Sequence, residues 1–167
     1  MKLTGELREG VTATDLVLRV TEGLRQHGGG GKFVEYFGEG LSDLDLTTRA
    51  TLANMAPEYG ATMGFFPVDA ETVNYLRKSN RSDKADRVEA VMKSQGLFRE
   101  DPAEQPEYSS LVELDLTTVD ATLAGPKRPQ DRVSLHDLHN EFKETLTAKI
   151  GPKGFGLSEI FRIIPKF

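Results

Sequence analysis

Apolar and polar residues alternate along the first forty residues in blocks that predict a strand, a helix and a second strand. Residues 3–7 are a short extended run closed by the polar Arg8-Glu9-Gly10. Thr12 or Thr14 can cap a helix with Asp15 in its first turn, where a carboxylate favours the positive helix end. Leu16, Val17, Val20 and Leu24 then recur at helical spacing and form one apolar face. Four glycines, Gly28 to Gly31, stop that helix, and Lys32-Phe33-Val34-Glu35-Tyr36-Phe37 reads as a buried strand. The order strand–helix–strand predicts a right-handed crossover and a parallel pair.

The pattern continues in the same alternation. Thr47 or Thr48 caps a helix through Ala50, Leu52, Ala53 and Met55, broken between Pro57 and Gly60. Residues 61–68 read as another buried strand. Asp69 caps a helix containing Val73, Tyr75 and Leu76. Ser82 begins the next, with Ala85, Val88, Val91 and Met92 inward and Gly96 as its stop. Residues 102–107 form an acidic loop with prolines, and residues 111–116 alternate apolar and acidic like a half-exposed strand. Residues 124–131, with two prolines, read as an ordered linker, and residues 136–150 as a surface helix. Residues 151–167 are glycine-rich, then apolar, and read as a truncated end.

Composition narrows the function classes. The 167 residues carry 21 basic and 26 acidic side chains, a net charge of −5, which argues against a general nucleic-acid binder. With no cysteine, the chain can supply no disulfide, thiolate nucleophile or cluster ligand. No apolar stretch is long enough to cross a bilayer, and no signal region follows Met1, so a soluble cytoplasmic protein is expected.

Several patterns carry candidate chemistry. Gly38-Glu39-Gly40 stands where a dinucleotide loop would, but Asp43 takes the third glycine's place and would repel a pyrophosphate, so a tight turn is the better reading. His136 and His139 can share a helix face, yet no third ligand accompanies them. Lys127-Arg128, between Pro126 and Pro129, could bind an anion or pair with Asp131; the pairing is favoured. Arg77, Lys78, Arg81, Lys84 and Arg87 are interleaved with Asp83 and Asp86, as on a solvated helix face. The most suggestive stretch runs from Asn54 to Thr62. It places an amide and a carboxylate, Asn54 and Glu58, four apart at a helix end broken by Pro57. Asn54 can donate and accept hydrogen bonds, and Glu58 can act as a base or hold a metal-bound water. Taken without context, the pair is also what a helix cap beside a proline turn looks like.

The stretch DLDLTTRATLANMAPEYGATMGFFPVD closely resembles the aconitase family, nearest its bacterial cytosolic branch, which is related to the iron regulatory protein. LTGEL at residues 3–7, GVTATD at 10–15, GKFVE at 31–35 and GPKRPQD at 125–131 match in the family's order and spacing. The likeness covers roughly residues 1 to 145 and corresponds to the family's second domain and the lead into its third. Gly28 to Gly31 depart from the usual partly apolar loop, and the end after Ile150 does not match.

The resemblance implies an α/β fold, a three-layer αβα sandwich with a mostly parallel sheet, that folds by itself. It implies a domain over residues 1–124 and, over 125–167, a linker and helical tail leading toward the next domain. It implies a parent aconitate hydratase that interconverts citrate and isocitrate via cis-aconitate on a 4Fe–4S cluster. The family's cluster cysteines lie downstream and its other active-site groups in other domains, so this chain is expected to be an excised domain, inactive and cluster-free alone. Its partners are then the remaining domains of the parent, and RNA enters only through the iron regulatory protein branch. Two positions match the family's active site: Asn54, an asparagine lining the cluster pocket, and Glu58, a glutamate contacting the water or hydroxyl on the labile iron. The rival readings are a 2-methylcitrate dehydratase domain, which shares this architecture, and a non-catalytic structural or interaction domain.

Overall fold

The computed structural model describes residues 1–28, 30–100 and 106–158. The acidic loop expected over 102–107, save its last two residues, and the apolar end of the tail lie outside them. The elements are β1 (Lys2–Thr4), α1 (Ala13–His27), β2 (Phe33–Glu35), α2 (Leu46–Asn54), α3 (Ala56–Tyr59), β3 (Met63–Phe65), α4 (Ala70–Lys78), α5 (Ser82–Ser94), β4 (Glu113–Asp115), β5 (Thr122–Ala124), β6 (Arg132–Ser134) and α6 (Leu138–Thr147). The expected α/β class holds, built from short pairings. β1 runs parallel to β4 with Leu3 opposite Leu114, and β2 parallel to β3 with Val34 opposite Gly64. β1 also meets the chain leaving β2: Leu3 N–H donates to the Phe37 carbonyl (2.7 Å), in a parallel bridge of Lys2 with Phe37. The parallel neighbours expected from the opening strand–helix–strand are therefore present.

Close approach explains the glycine turn. Gly38 has φ 103°, and a Cβ there would lie 2.3 Å from the Leu3 carbonyl oxygen; one at Gly40 would lie 2.8 Å from that of Gly5. The Gly38-Glu39-Gly40 turn exists so that β1 can pass over it, in keeping with the tight-turn reading. Beneath these strands Leu3, Leu16, Val20, Leu41, Leu52, Leu116 and Val119 are wholly buried.

Several expectations need correction. The α2 cap is Asp45, which accepts from the Thr48 N–H (2.8 Å) and the Thr47 hydroxyl (2.7 Å); neither threonine caps. β3 is not a buried strand, for Met63 and Phe65 are 39% and 46% exposed. The cause is Gly64, whose face turns inward: a Cβ there would stand 2.4 Å from the Tyr59 hydroxyl, so alternation sends its neighbours outward. Phe33 of β2 is exposed by the same alternation, while Val34 and Tyr36 are buried. On α5, Ala85 is buried but Val91 is exposed, because one small residue suffices to seat that helix against α4. Residues 125–131, read as part of an ordered linker, form the loop of the antiparallel hairpin β5–β6.

That hairpin returns to the start of α1. Thr12 caps α1 in a capping box with Asp15, and Asp15 also accepts from the Thr122 N–H (2.7 Å). Burial pushes the Asp15 carboxyl up, but the Thr12 hydroxyl and the amides of Thr12 and Thr122 outweigh it and hold it below its usual value. A carboxyl depressed by folding lends stability that is complete above its unfolded range and is lost as pH falls through the folded value. Asp15→Asn turns an amide toward these donors. It is expected to lower melting by about 5 °C at neutral pH and to flatten the decline in melting below about pH 5. Thermal melts of both chains across pH check this.

Candidate active site

Asn54 is the last residue of α2 and is exposed; Glu58 lies in α3, one turn on. Met55 joins the two helices in a corner, its carbonyl accepting from the N–H groups of Glu58 (3.1 Å) and Tyr59 (3.2 Å). Pro57 fits the first turn of α3, where no amide is needed, and Gly60 ends it at φ 86°. The Tyr59 hydroxyl reaches back to the Leu52 carbonyl (3.1 Å), tying α3 to α2. The sequence-derived pair therefore stands on a single rigid corner.

The decisive atom is Glu58 Oε2. It is buried and has no hydrogen-bond partner among the described residues. A buried carboxylate oxygen is costly when unpaired, so this corner is incomplete without a donor from outside the described residues. The chain has no cysteine and so offers no thiolate to a cluster. The unpaired Oε2 does suit a donor presented by a cluster pocket held elsewhere, and the exposed Asn54 amide, on the same corner, offers both a donor and an acceptor. The rings of Tyr36 and Tyr59 flank Gly64 under the corner. Tyr36 is fully buried and stacks on Phe66 with ring centroids 4.3 Å apart. Burial pushes both tyrosine hydroxyls above their ordinary pKa.

Sequence reasoning missed two arginines around this corner. Arg49 of α2 is buried. It donates to the carbonyls of Leu44 (2.9 Å) and Leu41 (2.9 Å) and to Asp69 Oδ2 (2.8 Å). Asp69 caps α4 as expected and holds Arg99 as well, at 3.4 Å. Arg25, from the last turn of α1, donates to the carbonyls of Glu58 and Pro57. Only an arginine facing a lone aspartate twenty residues on hints at the first, and nothing local hints at the second.

The other candidates fall elsewhere. His136 precedes α6 while His139 lies within it; both are exposed, so the pair does not share a helix face. Lys127 does not pair with Asp131: its ammonium donates to the carbonyls of Gly151 (2.7 Å) and Gly154 (3.0 Å) and sits over the Phe155 ring. Three backbone and aromatic contacts outcompete one carboxylate there. Arg77 pairs with Asp86 (2.9 Å) on the exposed faces of α4 and α5, as a solvated face should.

The fold and the NMAPEYGAT corner are those of an aconitase-family domain, and the chain belongs to the aconitase family: residues 1–155 match the family model for aconitate hydratase. The match extends about ten residues beyond the stretch over which the motifs quoted above carry the likeness. The chain is 59% identical to aconitate hydratase A of Francisella tularensis subsp. holarctica (strain LVS), over 95% of this chain and 17% of that protein. It is 59% identical to aconitate hydratase A of Thermus thermophilus, over 95% and 18%, and 53% identical to that of Bacillus subtilis, over 94% and 17%. The chain thus spans less than a fifth of the length of the curated relatives it matches. Among the described residues no helix is long and apolar enough to cross a membrane.

Proposed function

We propose that this chain is the part of a cytoplasmic aconitate hydratase that supplies Asn54 and Glu58 to one wall of the active site, the parent interconverting citrate and isocitrate through cis-aconitate. The observation that carries the reading is the buried, unpartnered Glu58 Oε2 on the same corner as the exposed Asn54. A 4Fe–4S cluster, bound on cysteines from the rest of the parent, supplies a Lewis acid for the substrate hydroxyl. What this chain's residues do is narrower. Oε2 accepts a hydrogen bond from the water that adds, orienting it and taking up its proton, and in the reverse direction returns that proton to the departing hydroxyl, which leaves as water. The Asn54 amide fixes the same group from a second direction, which limits its rotation in the pocket. The remaining domains of the parent close the site against water.

The test is an assay of the cluster-loaded full-length enzyme. Formation of cis-aconitate from both citrate and isocitrate is expected. The 167-residue chain alone, taken through the same reconstitution, is expected to gain no cluster absorbance and no hydratase activity. Preferential turnover of 2-methylcitrate by the full-length enzyme would transfer the reading to the related dehydratase.

A further inference from the structure

Glu58 stands on a foundation that cannot hold itself. α3 is four residues long and has no side-chain cap at its start. One turn of helix is far below the length at which backbone bonds alone sustain it. The Glu58 side chain adds no anchor, since Oε2 has no partner within the described residues. The carboxylate's place is therefore set by whatever fixes the backbone beneath it.

The buried Tyr59, bonded to the Leu52 carbonyl, ties α3 down on its inner side; what holds the backbone at Glu58 itself is Arg25. Its α-carbon is rigid, one residue after Leu24, which is buried in the core, and three before Gly28, which ends α1 in the left-handed region. From there the guanidinium crosses to the end of α3. Nε donates to the Glu58 carbonyl, and a terminal nitrogen donates to the Pro57 carbonyl at 3.3 Å. The same group lies against Gly60, where a Cβ would come 3.2 Å from it. The Glu58 carbonyl is one that a helix end leaves short of partners, while that of Pro57 also accepts from the Gly60 N–H (3.1 Å). A planar fork meets the two at once in a fixed geometry that a flexible ammonium does not impose.

We propose that Arg25 is a positioning residue for Glu58: by clamping the Pro57 and Glu58 carbonyls it holds the carboxylate at its working position, a role that rests on the proposed function of Glu58. Arg25 itself touches no reacting atom. Its removal should displace the acid–base group without loosening the domain, because the arginine is exposed and its bonds are confined to the α3 terminus.

The experiment compares Arg25→Gln, Arg25→Lys and Glu58→Gln in the full-length enzyme, loaded with cluster for kinetics and without it for hydrogen exchange. In Arg25→Gln, amide exchange across residues 58–61 is expected to rise about tenfold or more while α1 and α2 keep their protection. Its kcat should fall about tenfold with KM held within about twofold, at unchanged cluster content and melting temperature. Arg25→Lys, keeping the charge but not the fork, should fall between Arg25→Gln and wild type in both readouts. Unchanged exchange at 58–61, or a kcat loss that merely follows cluster loss or melting, overturns the proposal. Undiminished kcat in Arg25→Gln beside a crippled Glu58→Gln overturns it alone. Wild-type turnover in Glu58→Gln overturns it together with the function from which it starts.

Discussion

Glu58→Gln in the cluster-loaded full-length enzyme lowers kcat about a hundredfold, with KM nearly unchanged and melting within about 2 °C of wild type. Glutamine keeps the volume and the reach of glutamate, so the corner from Asn54 to Gly60 keeps its bonds: those from the N–H groups of Glu58 and Tyr59 to the Met55 carbonyl, and that from the Tyr59 hydroxyl to the Leu52 carbonyl. What changes is one atom. Oε2 is buried and unpartnered, and an amide nitrogen in its place turns a proton acceptor into a donor. If Glu58 only shaped the turn, the substitution would leave turnover intact and shift melting by a few degrees instead. Rate, melting temperature and cluster absorbance measured on one preparation separate the two outcomes. Wild-type turnover at full cluster content would remove Glu58 from the chemistry.

Arg49→Met destabilises the 167-residue chain by about 3–5 kcal/mol, lowering its melting temperature by roughly 10 °C. The guanidinium is buried and satisfies three acceptors from two directions: the carbonyls of Leu41 and Leu44 below α2, and Asp69 Oδ2 at the head of α4. Methionine fills much the same space but takes the arginine donors from both carbonyls, leaving that of Leu41 only the Leu44 N–H (3.2 Å), and removes a counter-charge from Asp69. Asp69 keeps Arg99 at 3.4 Å and the N–H groups of Glu71 and Thr72, so its own cap survives. The loss therefore falls mainly on the junction between α2 and α4. Arg49→Lys recovers little, since one ammonium cannot reach both carbonyls and the carboxylate in the geometry of a fork. Chemical or thermal unfolding of the three chains measures it, and a shift under about 2 °C for Arg49→Met would refute it.

How far the residues speak for themselves depends on the range of the interaction. The α1 start was legible because Thr12 and Asp15 meet within one turn, and the Asp69 cap for the same reason. Asn54 and Glu58 could be singled out because amide, proline and carboxylate fall within five residues; their matching in the family gave them roles. What escaped depends on distant partners. The inward face of Gly64 is decided by Tyr59, which turned an apolar run into a strand with Met63 and Phe65 outside. Asp45 displaced the threonines as a cap because it can accept from both of them at once. Arg25 and Arg49 are ordinary in local pattern. They acquire meaning only when folding brings carbonyls 32 or 33 positions away, in the one case, and a carboxylate 20 positions away, in the other, within reach.

The tyrosines beneath the corner also give the domain an optical reporter. The chain has no tryptophan and four tyrosines, so its near-ultraviolet absorbance belongs to the phenols. Two of the four, Tyr36 and Tyr59, flank Gly64 under the helix that carries Glu58, and burial holds both in the neutral form beyond the usual range. In an alkaline jump these two phenols ionise only when that corner opens and admits hydroxide. In a Tyr108→Phe chain, which removes the remaining phenol that burial also pushes up, the delayed growth of tyrosinate absorbance becomes a clock for local opening, read without a label at the place where the chemistry is proposed to occur.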